Sequence, residues 1–322
     1  MKKYTVGIIS GANIALRCIA REIDNHDRFE LRAFATRSEA QKKIIEEKFN
    51  CAVYIGYDDI IKDDAIDFVY IPLPNSLHKQ WVLKAVNEGK HVLCEKSLGC
   101  SLADVIEMVE AAKQNKCLLI ENFQFRFHSQ QTMIKKLLSE NAIGKVQCFR
   151  SSFGFPPFPD SNNIRYKKEL GGGALLDAGA YTLKAMSFVM GSGFSVKGAT
   201  INTSSEYDVD ISGGILATNS EGVVAQLAYG FDNFYQCNYE LWGATGKITV
   251  TRAFTAPPGF APTIIIEKLG EKEERVLEPD NHYRNMLSHC ASCIDTTSFS
   301  EEYKQLIEQA ELIEQTKEKS HE

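Results

Sequence analysis

The sequence has no run of about 18 apolar residues, so nothing in it reads as a membrane-crossing helix. The one suggestive stretch, VGIISGANIAL behind Lys2 and Lys3, is broken up by Arg17, Arg21 and Glu22 and lacks the form of a secretory signal. Positive charge is not in excess either. The 36 basic residues against 42 acidic ones give a net charge of −6, with a pI near 5.8, which argues against nucleic acid or an anionic membrane as partner. A disulfide framework is missing too: the nine cysteines are odd in number, scattered and mostly flanked by apolar residues, the pattern of reduced thiols in a cytoplasmic protein. Cys290 and Cys293 form a C-x-x-C after His289, but no second pair completes a metal set, so they are expected on a buried helical face. No metal is expected.

What is present is a globular composition, 44% hydrophobic and 24% charged, over 322 residues, enough for two domains at ~100–200 residues each. Strands at 4–9, 31–35, 67–71, 91–94 and 117–120 alternate with helices that include 39–49, 77–87 and 103–114. Such alternation predicts an α/β Rossmann-type, doubly wound parallel sheet. After residue 121 a helix over 129–138 leads into successive strands at 146–155, 195–203, 211–218, 222–229, 239–243, 247–251 and 263–268, separated by turns such as Gly-Ser-Gly at 191–193. This predicts a second, α+β domain with an open, largely antiparallel sheet. The expected boundaries are 1–121 for a dinucleotide-binding domain and 122–322 for a substrate-binding and oligomerisation domain. A final amphipathic helix carries Tyr303, Leu306, Ala310 and Ile313 on one stripe.

Small residues Ser10, Gly11, Ala12 and Asn13, then Ile14 and Ala15, follow the first strand, where a dinucleotide fold brings backbone N–H groups and a helix N-terminus to a pyrophosphate. The match to G-x-G-x-x-G is partial, and an ordinary strand-to-helix turn is the alternative. The second strand ends in Thr36, Arg37 and Ser38 rather than in the carboxylate that would accept from a ribose 2′-OH. A cation with small hydroxyl donors suits a 2′-phosphate, so NADP is expected in preference to NAD. The alternative for Arg37 is an exposed arginine in a turn that Ser38 caps.

Two further segments are IPLPNSLHKQWVLKAVNEGKHVLCEKSLG (71–99) and NIRYKKELGGGALLDAGAYTLKAM (163–186). Their markers are Pro74, Asn75 and His78, the block ending in Glu95 and Lys96, and the GGGALLD run ending in Asp177. With these, the chain closely resembles the glucose-fructose oxidoreductase / inositol dehydrogenase family, known as Gfo/Idh/MocA, along essentially its whole length. The resemblance implies a nicotinamide lying in the cleft between the two domains. It implies Lys96 beside the reacting hydroxyl or carbonyl, Asp177 as the family's aspartate, and Tyr181 where most members carry histidine, as in the aldose and dihydrodiol dehydrogenase branch. It also places Asn75 and His78 on the nicotinamide side, a turn or cap residue being the alternative for either, counts Pro72 and Leu73 among the cofactor-binding residues, and sets Glu95 under the nicotinamide ribose, Arg165 at the nicotinamide end and Arg126 toward the substrate. Lys184 occupies a position where many relatives have Asp or Asn. The other histidines, at 26, 91, 128, 282, 289 and 321, are expected to be structural.

Hydride transfer needs a group to exchange the hydroxyl proton and a donor to steady oxyanion charge. Tyr181 suits the first role if a cation such as Lys96 lowers its pKa from ~10. Asp177, four residues earlier, shares its helical face and would orient Lys96 or the substrate hydroxyl. Ser97 departs from the family's proline after the lysine. A non-proline cis bond costs ~3–4 kcal/mol, so either the bond is trans and Lys96 shifts, or the cis form is tolerated.

The expected activity is an NAD(P)-dependent interconversion of hydroxyl and carbonyl on a sugar or cyclic polyol. Alternatives are reduction of a keto group on a nucleotide-linked sugar and a non-catalytic NADP sensor. An NAD-dependent glycosidase fits the end of the second strand less well. Self-association through the C-terminal sheet is also expected.

Overall fold

The computed structural model describes residues 2–320 and divides into two compact units. One holds residues 2–122 and Tyr283–Ile307; the other holds Phe123–His282 and residues 308–320.

The first unit is a six-stranded sheet of β1 (Tyr4–Ile9), β2 (Phe29–Thr36), β3 (Ala52–Ile55), β4 (Phe68–Ile71), β5 (His91–Cys94) and β6 (Leu119–Glu121). All pairs are parallel and the order is β3-β2-β1-β4-β5-β6. Between them run α1 (Ala20–Asp24), α2 (Glu39–Lys48), α3 (Asp58–Lys62), α4 (Asn75–Asn87) and α5 (Leu102–Gln114). The central strands are apolar on both faces, β4 being buried throughout, because helices cover the sheet on both sides. Local chemistry sets the helix starts: Ser38 accepts from the Gln41 backbone N–H at 3.3 Å, and Ser101 from Asp104 at 3.2 Å. β3 and α3 go beyond the five expected strands. A four-residue edge strand without a fully buried residue has no periodicity to betray it.

Residues 283–307 do not stay with the second unit, as the boundary at 122 would have them. Their helices are most of α8 (His282–Thr296) and the start of α9 (Ser300–Lys319). Tyr4 donates its hydroxyl to Asp295 at 2.6 Å, Arg28 pairs with the same carboxylate at 2.8 Å, and Tyr303 donates to the Cys117 carbonyl. An amphipathic stripe says that a helix is covered, not which sheet covers it. On α8, Cys290 and Cys293 are buried as expected. His289 lies 3.4 Å from the Cys293 sulfur and 2.9 Å from a Glu302 carboxylate oxygen. These two contacts, in that order, raise its pKa from 6.5 to about 9 against the opposing effect of burial. A raised folded-state value means that the pair's contribution to stability is complete below about pH 6.5 and is lost as pH rises through about 9. We therefore expect His289→Gln to lower Tm most near pH 6 and to match the unmodified protein by about pH 10, as read by thermal melts across that range.

The second unit is an eight-stranded sheet of β7 (Val146–Gly154), β8 (Ser195–Thr203), β9 (Asp210–Thr218), β10 (Val224–Gly230), β11 (Gln236–Gly243), β12 (Gly246–Val250), β13 (Thr263–Lys268) and β14 (Glu271–Val276). Its order is β14-β13-β12-β11-β7-β10-β9-β8, with only β7 and β10 parallel. β14, sequence EKEERV, was not foreseen because it has no apolar alternation; such a charged strand suits a sheet edge. α6 (Ser129–Ser139) precedes the sheet, and α7 (Ala180–Met190) packs on β7 and β10. The opposite face carries a polar row: Arg150 bonds Gln226 at 3.0 Å and Glu240 at 3.3 Å, and Lys247 joins Glu240 to Glu267. Leu216 and Trp242, 44% and 51% exposed, lie among them on strands of that sheet.

Candidate active site

In the first unit the strand order reverses between β1 and β4, so the loops leaving their C-terminal ends flank the crevice where doubly wound sheets take ligands. The loop after β1 begins with Ser10 in the left-handed region, φ +96°. Gly11 is followed by Ala12, Asn13 and Ile14, leading into a π-turn over Ala15–Ile19. Gln41 ties this loop to the end of β2. Its amide donates to the Gly11 carbonyl at 3.1 Å and its oxygen accepts from Thr36 Oγ1 at 2.7 Å. Thr36 is fully buried and also accepts from the Ser38 N–H, so it braces the turn from within the protein. Arg37 is exposed, its guanidinium 5.7 Å from the Tyr57 ring centroid, and among the described residues no carboxylate pairs with it. Small residues, a helix start and a free cation at the strand end fit a phosphorylated dinucleotide.

The loop after β4 contains Pro72, Leu73 and Pro74 and starts α4 at Asn75. His78 is fully buried, with Nε2 2.7 Å from the Leu73 carbonyl and Nδ1 2.8 Å from the Ser97 carbonyl. Burial lowers its pKa. Each ring nitrogen faces a backbone carbonyl, one of which accepts the single N–H of the neutral ring, and His78 thus bridges the loop that carries Lys96 and the loop after β4. The Lys96–Ser97 bond is cis. The Leu98 N–H donates to Glu121 at 2.8 Å. Glu95 accepts from the Tyr70 hydroxyl at 2.6 Å and the Asn122 amide at 2.5 Å. Burial pushes its carboxyl up while these bonds oppose the shift. Tyr70 and Asn122 have no motif to mark them, and the sequence reading missed them.

In the second unit Tyr181 occupies the second position of α7, after a π-turn over Leu175–Gly179 that contains Asp177. Its ring, 7% exposed, meets Phe153 at 5.0 Å, Phe123 at 5.2 Å and Phe254 at 5.6 Å between centroids. Gln124 reaches its hydroxyl at 3.4 Å. The ring is thus core and the hydroxyl is its polar tip. Asp177 and Arg165, expected in separate roles, form an ion pair at 2.6 Å, and the Arg165 guanidinium also lies over the Phe158 ring at 4.7 Å. Arg126 is buried, with its guanidinium over the Phe127 ring at 4.8 Å.

The glycine run upstream is demanded by its surroundings. Gly173 has φ +110°, and a Cβ there would lie 2.1 Å from an Asp210 carboxylate oxygen. The other oxygen of Asp210 accepts from the Leu175 N–H at 2.5 Å, which fixes the start of the turn that carries Asp177. Asp210, alone on a strand start, gave no signal in the sequence. We expect Gly173→Ala to destabilise by on the order of 3 kcal/mol, through its disfavoured backbone and the overlap. Gly198→Ala, with nothing within 4 Å of the new methyl, serves as the mild comparison in urea unfolding.

A turn of small residues at the sheet's switch point, with Arg37 lacking a carboxylate partner among the described residues, suits a dinucleotide-binding oxidoreductase. Residues 4–123 match the "Oxidoreductase family, NAD-binding Rossmann fold" and residues 132–249 the "GFO/IDH/MocA C-terminal domain". The chain belongs to the Gfo/Idh/MocA family. It is 35% identical over 320 residues to a dTDP-3,4-didehydro-2,6-dideoxy-alpha-D-glucose 3-reductase of Saccharopolyspora spinosa, covering 97% of this chain and 96% of that one. It is 28% identical to a D-xylose 1-dehydrogenase (NADP(+)) of Haloferax volcanii, over 90% of this chain and 89% of the other. Among solved structures, a 3-ketoreductase from Actinomadura kijaniata in complex with NADP and TDP-benzene is similar with a TM-score of 0.95 and 32% identity, over 99% of this chain and 98% of that one.

Proposed function

We propose that this protein is an NADP-dependent reductase of a keto group on a nucleotide-linked sugar. The observation that carries the proposal is full-length similarity, at 35% identity, to a reductase of a dTDP-linked keto-sugar. It favours that substrate over the free sugar or cyclic polyol that the motifs alone suggested. Arg37, exposed and without a carboxylate partner among the described residues, supports NADP over NAD.

Bound NADPH supplies the hydride. The chain's own residues hold the ligands and move the proton. The Ser10–Ile14 turn takes the pyrophosphate on backbone N–H groups, Arg37 with Ser38 takes the 2′-phosphate, and the loop of Pro72, Leu73 and Asn75 borders the nicotinamide. Lys96 donates to the carbonyl oxygen and offsets its growing negative charge. Tyr181 gives that oxygen its proton. Asp177 and Arg165, held together, place each other. The test is a comparison of kcat/KM for a nucleotide-linked 3-keto-sugar with that for the same sugar without the nucleotide. A large preference for the linked form is expected, and equal values would return the assignment to free sugars.

We further propose that the protein is cytoplasmic, in keeping with its nine free cysteines. We also propose self-association through the open sheet face bearing Leu216 and Trp242. Light scattering should give more than one chain per particle, and Trp242→Glu should lower that number.

A further inference from the structure

Lys184 follows Tyr181 by three residues on α7 and is only 3% exposed. Side chains so spaced on a helix are neighbours, with Cβ atoms ~5–6 Å apart. Both address one ring: Tyr181 meets Phe123 edge-on at 5.2 Å, and the Lys184 Nζ lies 6.0 Å from the same centroid. The rings packed on Tyr181, those of Phe123, Phe125, Phe153 and Phe254, are apolar, so a charge forming on that side chain is poorly screened. A lysine is seldom buried this deeply unless its charge is put to use.

We infer that Lys184 is a positioning residue acting through Tyr181, its fixed positive charge stabilising the phenolate left when Tyr181 hands over its proton. The inference rests on Tyr181 as proton donor. In that step the phenolic O–H bond breaks, the proton goes to the substrate oxygen as hydride from NADPH reaches the carbonyl carbon, and Lys184 keeps its own proton throughout.

Other charged or titratable groups near Tyr181 make the following contacts. Asp177, one turn earlier, is paired with Arg165, and Arg126 lies on the Phe127 ring. Lys135 of α6 sits over Phe188 at 3.7 Å, and Arg252, beside the segment bearing Phe254, lies over Tyr235 at 5.1 Å. Asp210 of β9 holds the Leu175 N–H, and Tyr229 of β10 lies against Gly179. The last helix offers α7 the uncharged Gln309, which donates to the Ala180 carbonyl.

The test is the pH dependence of kcat/KM for carbonyl reduction by the full-length protein with NADPH. Tyr181 must be protonated to act, so activity falls on the alkaline side. Removing a nearby positive charge makes the phenol a weaker acid and carries that limb upward. In Lys184→Met and Lys184→Gln the limb should move up by about one pH unit and the plateau should drop ~10-fold, with NADPH affinity unchanged. Lys184→Arg should leave the limb in place. An unmoved limb in a folded Lys184→Met, or an equal shift in Lys184→Arg, overturns the inference while leaving Tyr181 as donor. Should Tyr181→Phe itself keep the limb and the rate, the proton-donor assignment fails and Lys184's role falls with it.

Discussion

Tyr181→Phe is expected to lower kcat by about 10²–10³-fold, the scale of losing a positioned proton donor, while NADPH affinity stays close to that of the unmodified protein. The substitution removes one oxygen from a ring held by Phe123, Phe153 and Phe254, so the fold should be preserved. The bond that Gln124 makes to that hydroxyl, at 3.4 Å, is long and therefore weak. Steady-state kinetics with a Kd for NADPH from fluorescence separates the two quantities. Lys96→Met should fall by at least ~10²-fold as well, since the carbonyl oxygen loses its charged donor. Near-normal turnover in Tyr181→Phe would place proton donation on Lys96 alone.

Arg37→Ala should raise KM for NADPH by about 10–100-fold and leave KM for NADH almost untouched, because a charge-assisted bond to a phosphate contributes ~1.5–3 kcal/mol. Arg37 makes its one described side-chain contact with the Tyr57 ring, so no ion pair is lost with it. Thr36→Ala is a different case. Its hydroxyl is buried between Gln41 and the Ser38 N–H, and its removal should loosen the turn for both cofactors alike. A KM ratio unaltered by Arg37→Ala would take the 2′-phosphate away from this residue.

The first sheet was legible because parallel strands covered on both faces are written as nearly continuous apolar runs, as in FVYI and HVLC. Short edges were not: AVYI is half-exposed and EKEERV is charged from end to end but for its valine. Candidate residues could be picked out where a motif marks them, as with Lys96, Asp177 and Tyr181. A contact was illegible where the partner lies far off in sequence and has no signature of its own. Asp210 supports the turn of Asp177 from 35 positions beyond Leu175, and Tyr70 reaches Glu95 across 25. His78 was visible as a residue, but its work, holding the Ser97 carbonyl, emerges only from the packing of two loops. The return of residues 283–307 to the first sheet is of the same kind, since the stripe on a helix names no partner.

The most direct test of the account is single-turnover absorbance at 340 nm, with the protein preloaded with NADPH and mixed with a dTDP-linked 3-keto-sugar. Stoichiometric loss of the NADPH signal is predicted, much faster than with NADH and much slower in Tyr181→Phe. Tight NADPH binding with no oxidation by that sugar, nor by free aldoses and ketoses, would contradict it and leave a protein that senses the cofactor without turning it over.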